Sequence, residues 1–287
     1  MRRRLFSHIS LTFHRLCDNI EEQAPREDEP RVKQGSITKQ QSYFVVKSNE
    51  IIQKSRFSMT VQQQKIMLFL ISKIKPADAP GRLYTISIRD YCAVANIEAD
   101  SGKNYCDIKK SLKSIADKSM WLKKANGNEV LLRWLDRIEI NAGEGSITVR
   151  FHEDMFPYLL DLHERYTQYS LEYVLPMRSK YGIRLYELMR SYANMDTSIS
   201  MSLDELKQRM DCDKYARFPD FRRYALLPAL EDINNNSDIK VKYALKKNGG
   251  RAYNEIIFHI YSLDLIDSVE RRLNRTKALS PSKHRKG

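Results

Sequence analysis

The side chains with most to offer chemically are cations rather than nucleophiles. Between Arg217 and Ile260 lie Arg217, Arg222, Arg223, Lys240, Lys242, Lys246, Lys247 and Arg251. Guanidinium forks match guanine edges and phosphate oxygens in pairs, while ammonium groups meet phosphate as point charges. The chemistry on offer is therefore recognition of a polyanion. The elements that carry these groups can be read from spacing. In "RFPDFRRYALLPALEDINN", Phe221, Ala225, Ala229 and Ile233 recur at helical intervals with Leu226 and Leu230 beside them, which predicts a helix. Pro219 falls in its first turn, where a missing N–H costs nothing. "DIKVKYAL" and "YNEIIFHIY" are rich in β-branched and aromatic residues and predict a hairpin, with Lys-Asn-Gly-Gly as the turn.

A helix followed by a basic hairpin is the working end of a winged-helix unit, whose helix enters the major groove of DNA. The same stretch also fits an amphipathic helix packed on a sheet with ordinary surface charge, so the rest of the chain has to decide. A length of 287 residues predicts two domains, and a net charge of +13 favours nucleic acid as a partner. Cys17, Cys92, Cys106 and Cys212 form no Cys-x-x-Cys pair and have no histidine at zinc-finger spacing, which predicts a reduced cytosolic protein. No apolar run reaches the length of a membrane span. The start, "MRRRLFSHISLTFHRLCDN", is basic, but His8, His14 and Arg15 interrupt its apolar part, so no signal peptide is expected.

Read in order, residues 1–42 include the charged, proline-containing "EEQAPREDEPRVKQGS" and are expected to be a flexible extension. After the amphipathic "FVVKSNEIIQKS", a helix capped by Thr60 with Ile66, Leu70 and Ile74 inward is expected to run to Pro76. "RLYTISI" is a strand, "RDYCAVAN" a short helix, and "SGKNYCDIKKSLKSIADKS" a longer helix capped by Ser101 with Ile108, Leu112 and Ile115 inward. "MWLKK", "VLLRWLDRIEI" and "SITVRF" read as three strands, and "HEDMFPYLLDL" as a helical connector. "EYVLPMRSKYGIRLYELMRSYAN" reads as one long helix with Met177, Tyr181, Leu185, Leu188 and Tyr192 on one face. "TSISM" follows as a strand, and "SLDELKQRMD" as a helix with a Ser202/Glu205 capping box. Both halves share one order: long helix, short strand, short helix, charged helix, hairpin. "ISIRDY" in the first half has its counterpart in "ISMSLDEL". The fold class expected is α+β, two tandem winged-helix domains at 43–165 and 166–265, with a basic tail at 266–287.

Catalytic constellations are missing from the sequence. The glycines form neither G-x-x-x-x-G-K-[ST] nor a G-x-G-x-x-G after a strand. His152, His163 and His259 stand alone, without the paired histidines of a metal-dependent nicking enzyme. Glu153/Asp154 and Glu231/Asp232 are adjacent on helices, where neighbours do not face each other. Binding without catalysis, cofactor or metal is the expected class.

Three stretches carry a resemblance to a known family. "VVKSNEIIQKSRFSMTVQQQKIMLFLISKI", "YSLEYVLPMRSKYGIRLYELMRSY" and "RFPDFRRYALLPALEDINNNSDIKVKY" resemble, in that order, parts of the iteron-binding plasmid replication initiators with two winged-helix domains. The resemblance spans about Tyr43 to Leu263. It implies binding to direct repeats in a plasmid origin as double-stranded DNA, opening of neighbouring A·T-rich DNA, and recruitment of a host initiator and the replicative helicase. It further implies a homodimer in equilibrium with monomer, repression of its own promoter, and a bacterial cytoplasmic location.

On this reading Arg222 and Arg223 face base edges with Tyr224 beside them, and Arg217 lies near the strand backbone. Lys242, Lys246, Lys247 and Arg251 meet phosphates from the hairpin. Lys103, Lys109, Lys110 and Lys113 do so from the first domain. Pro228 should leave a carbonyl near Tyr224 without its helical donor. The two modules, each weak alone, would gain affinity through a short connector. The competing readings are a two-module transcription regulator with no role in replication, and an enzyme acting on nucleic acid.

Overall fold

The computed structural model describes residues 43–98, 102–141, 143–160, 162, 164–193, 197–247 and 253–263. The expected extension and tail, the Ser101 cap, the turn at 248–250 and Arg251 lie outside the described residues.

Strand β1 (Phe44–Ser48) leads into α1 (Asn49–Lys54), whose first turn is closed by Ser48 Oγ accepting the Ile51 N–H. After the two-residue β2 (Ser55–Arg56) comes α2 (Val61–Ile71), started by a reciprocal capping box between Thr60 and Gln63. It does not run to Pro76 as expected. Lys73 and Ile74 N–H reach back only three residues, to Leu70 O and Ile71 O, and Ser72 Oγ donates to Phe69 O, so the helix tightens and stops early. β3 (Tyr84–Ser87), α3 (Ile88–Val94) and α4 (Gly102–Ala116) follow, with Ile108, Leu112 and Ile115 buried as expected.

β4 (Ser119–Lys123) and β5 (Glu129–Arg133) form a hairpin, and so do β6 (Leu135–Asn141) and β7 (Ser146–Phe151). The run "VLLRWLDRIEI" is therefore two strands, not one. It breaks at Trp134, which is buried with its ring edge-on to Phe57 at 5.2 Å; β5 pairs with β4 while β6 pairs with β7 in a different sheet. The connector contains a 3₁₀ turn (Glu153–Met155) and α5 (Phe156–Leu159). β8 (Tyr166–Ser170) then pairs antiparallel with β1, so the expected boundary after residue 165 falls just before a strand that returns to the first unit.

The long helix expected from residue 172 starts late. Leu171–Tyr173 is a 3₁₀ turn, and α6 (Lys180–Ala193) begins only beyond Pro176, which disfavours helical geometry at the residue before it. Its first turn is capped from a distance: Arg178 and Ser179 N–H donate to Asp232 Oδ2 at 2.9 and 2.6 Å. Gly182 lets the two helices approach, since a Cβ there would stand 2.7 Å from that carboxylate oxygen. β9 (Ser198–Ser202), α7 (Leu203–Arg209), α8 (Phe218–Phe221), a π-helical turn (Arg222–Leu226), α9 (Leu227–Asn236), β10 (Ile239–Lys246) and β11 (Glu255–Ser262) complete the second unit.

The duplication expected from the order of parts is visible in the backbone. Strand orders β3-β7-β6 and β9-β11-β10 have one topology. Ser87 and Ser202 each cap the following helix by accepting the N–H three residues on. Glu205 Oε1 pairs with Arg209 at 2.5 Å. Ile88 N–H donates to Gly145 O, just before β7, and Leu203 N–H donates to Asn254 O, just before β11. Both short helices end on a left-handed residue of the kind that tolerates it, Asn96 at φ 53° and Asp211 at φ 55°. The next N–H, of Ile97 or Cys212, reaches back to Cys92 O or Lys207 O. The β2-β4-β5 sheet is the first unit's own addition.

α6 joins the two units. Residues 181–189 are all buried, because first-unit elements pack on one side of it and α9 and β11 on the other. Glu187 forms a buried ion pair with Lys47 of β1 and accepts the Tyr169 hydroxyl at 2.5 Å. Burial pulls the Lys47 ammonium below the usual lysine value, opposed by Glu187, and pushes the Tyr169 phenol well up. Arg184 donates to Ser55 O at 2.5 Å, Ser55 Oγ at 3.1 Å and Arg209 O at 3.1 Å, and lies 4.5 Å from the Phe57 ring centre. Gln64 Nε2 donates to Lys180 O at 3.1 Å. The units thus share a packed seam, and the expectation of modules tied by a connector is replaced by fixed geometry. Glu187→Ala should cost about 3–5 kcal/mol, because Lys47 is left as an uncompensated buried charge. Glu187→Gln, which can still accept from Tyr169, should cost less; urea unfolding of the two variants checks the order.

Candidate nucleic-acid interface

The second unit presents its expected helix with Phe221, Ala225, Leu226, Ala229 and Ile233 buried against the sheet. Arg217 is the N-cap residue, and its exposed side chain turns to Asp220, with Nε 2.8 Å from Oδ2. The helix is not uniform. Across Arg222–Leu226 it widens into a π turn, and Leu227 N–H reaches back five residues to Arg222 O. Pro228 has no N–H to offer Tyr224 O, as the sequence implied, and a wider turn relieves the clash between its ring and that carbonyl.

Arg222, Arg223 and Tyr224 are all exposed. Arg222 Nε donates to the Tyr243 hydroxyl at 2.9 Å, and among the described residues neither terminal amino group of the fork has a partner. Arg223 lies 5.3 Å from the Tyr224 ring centre, and Tyr224, 51% exposed, stacks on Tyr215 at 6.0 Å and 20°. Neither arginine pairs with a carboxylate among the described residues.

Strand alternation sorts the wing. Ile239 and Val241 are buried, Tyr243 and Leu245 are half-buried, and Lys247 continues that side toward the helix. Lys247 Nζ lies 5.0 Å from the Tyr253 ring, which in turn contacts Phe218 at 6.4 Å. Lys242 and Lys246 have the opposite parity. Lys242 lies 6.0 Å from the Tyr261 ring, and Lys246 pairs loosely with Glu255 at 3.5 Å. Lys240 bonds to Asn234 O at the end of α9.

The structure therefore gathers Arg222, Arg223, Tyr224 and Lys247 around the reading helix and puts Lys242 and Lys246 on the sheet's outer face. In the first unit Lys103, Lys109, Lys110 and Lys113 are exposed on α4, the counterpart of α8–α9, with no ion pair among the described residues. Sequence reasoning missed Tyr215, Phe218, Tyr243 and Tyr253, the aromatic groups that support the cations. Only Tyr243 left a signal, its inward parity in β10.

Among the described residues no cluster of histidine, cysteine or carboxylate side chains could hold a metal ion, and no helix is long and apolar enough to cross a membrane. Cys92 and Cys212 are buried, and burial pushes the Cys212 thiol up to about 12; Cys106 is exposed on α4, between Lys103 and Lys109.

Two helix-turn-helix units, each closed by a three-stranded sheet with a hairpin wing, define a tandem winged-helix protein. Residues 44–190 match the family model described as initiator replication protein, WH1, and residues 202–260 match that of initiator Rep protein, WH2. The first match alone spans just over half of the chain, and the chain belongs to this family of replication initiators. Among solved structures, the Pi initiator protein in complex with iteron DNA shares the fold, with a TM-score of 0.63 and 23% identity over 77% of this chain and 97% of that one. The WH1 domain of a replication protein isolated from a multiple sclerosis patient matches at 19% identity over 34% of this chain and 76% of that one, with a TM-score of 0.25.

A thiol reagent applied to the folded protein should label Cys106 readily and spare Cys92 and Cys212 until denaturant is added. Mass spectrometry of the labelled peptides checks this.

Proposed function

We propose that this protein binds repeated sequences, iterons, in a plasmid origin as double-stranded DNA and initiates replication there. The observation that carries the reading is the outward pair Arg222 and Arg223, held among the described residues by tyrosines rather than by carboxylates, on a helix beside a basic wing. Membership of a replication-initiator family supports it, as does the complex of the Pi relative with iteron DNA.

The physical mechanism is positioning followed by readout. Tyr243 holds Nε of Arg222, and the two terminal amino groups are the paired donors that suit guanine O6 and N7. Arg223 and Tyr224 extend this surface, and Lys247 and Arg217 flank it. Lys242 and Lys246 on the wing, and Lys103, Lys109, Lys110 and Lys113 on α4, supply phosphate contacts that set affinity and register without reading sequence, and Arg251, expected from the sequence to do the same, lies outside the described residues. The protein makes and breaks no bond; opening of adjacent A·T-rich DNA draws on binding energy. The same reading includes recruitment of the host initiator and replicative helicase, a monomer–homodimer equilibrium through the first domain, autorepression, and a bacterial cytoplasmic location.

The test is replication of a plasmid that carries direct repeats flanking the gene. It should depend on this protein, and an origin that replicates without it, or a protein that leaves the repeats unprotected in a footprint, defeats the reading. Arg222→Ala or Arg223→Ala should cost about 1–3 kcal/mol at the cognate repeat and relax its sequence preference. Lys246→Ala should weaken all sequences alike and reduce the slope of log affinity against log salt by about one. Fluorescence titrations at several salt concentrations separate the two patterns. Incubation of origin DNA with the protein and Mg²⁺ or Mn²⁺ should leave the DNA uncut and unprimed.

A further inference from the structure

The π turn in the reading helix changes which residues can face DNA. An α-helix advances about 100° per residue. With Ala229, Leu230 and Ile233 held in the core, counting back through Leu226 and Ala225 brings residue 222 to the middle of the buried face and residue 221 well off it. The structure has the opposite arrangement. Phe221 is 0% exposed and Arg222 points outward. The reversal comes from the one extra residue in the π turn, which rotates the helix before it by about 100° relative to the helix after it. Three consecutive side chains, Arg222, Arg223 and Tyr224, then lie between buried Phe221 and buried Ala225. An uninterrupted helix would leave only two outside.

We propose that this turn is a sequence-reading device: it inserts one residue into the outer arc of the helix, turns Arg222 from the core to the surface, and delivers its Nε to Tyr243, which acts as the positioning residue for the fork. Two features hold the turn open. Burial of Phe221 anchors the first half of the helix, and Pro228 supplies no N–H that would close a normal turn on Tyr224 O. A third group bears on the arc itself, because Tyr224 stacks on Tyr215 and carries Arg223 over its ring. The inference rests on the DNA-reading function proposed above and specifies how that site gains its selectivity.

The test uses the full chain, randomised DNA duplexes spanning two helical turns, and four proteins. They are the unaltered protein, Tyr243→Phe, Tyr224→Ala, which removes the side chain but keeps the turn, and a straightened variant in which Tyr224 is deleted and Pro228→Ala restores the missing donor. In the straightened variant every buried position keeps its place on the core, so it should fold, as circular dichroism and thermal melting will show. Selection with the unaltered protein should recover a consensus. The straightened variant should keep the salt dependence of binding but lose about ten- to a hundredfold of its preference at neighbouring base pairs relative to Tyr224→Ala. Tyr243→Phe should lose part of that preference at a single base pair, with its melting temperature unchanged.

If the unaltered protein selects no consensus, the DNA-reading function fails, and this proposal with it. If a consensus is recovered and the straightened variant selects it with a preference no lower than that of Tyr224→Ala, the turn is not a reading device and only this proposal falls. Should the straightened variant not fold, Tyr243→Phe decides: undiminished preference overturns the proposal, and selective loss supports it.

Discussion

A carboxylate cut off from water holds this molecule in one piece. Glu187 lies on the helix that closes the first unit and opens the second, and its charge is met by Lys47 from the first strand and the Tyr169 hydroxyl from the strand beside it. Such a pair adds little stability over a well-packed apolar substitute, because both charges lose their hydration. Its effect is on arrangement. Any slide of one unit against the other would separate Lys47 from Glu187 and strand both, so alternative packings are penalised far more than the pair stabilises the observed one. Arg184, one turn earlier on the same helix, adds a second tie by reaching across to Ser55.

From that fixed seam the two units repeat one plan at the level of hydrogen bonds. The serine caps, the left-handed residues that end the short helices and the backbone bonds from helix to wing recur in the same order. The differences are local. The first unit carries an extra hairpin after its charged helix, and the second carries a widened turn inside its own. A shared scaffold with divergent exposed features is what a fold shows when the core is under packing constraint and the surface is not.

Much of this was legible in the residues. The helix with Ala225, Ala229 and Ile233 inward, the hairpin after it, the Thr60 cap and the order of parts in both halves all follow from local periodicity and turn chemistry, whereas the burial of Phe221 on the same face needs the π turn as well. The early end of α2, the late start of α6 and the break at Trp134 did not. The first turns on three-residue backbone bonds and the Ser72 hydroxyl, which periodicity does not show; the other two involve partners distant in sequence. Asp232 caps α6 from the far end of the unit, and Trp134 is claimed by a core that two separate sheets enclose. In the candidate site the cations were readable because charge is visible in any sequence. The aromatic groups that orient them were not, since nothing local says that Tyr243 will meet Arg222 across a helix–sheet gap.

The packed seam has one more consequence. Duplex DNA is a screw, and adding one base pair between two half-sites both lengthens the span by about 3.4 Å and turns the far half by about 35°. A tethered pair of heads would absorb such a change by swinging. Heads locked across α6 have no such freedom, so on the proposed reading this protein acts as a gauge: it would accept repeats cut to one pitch and pass over those even a single step out of phase.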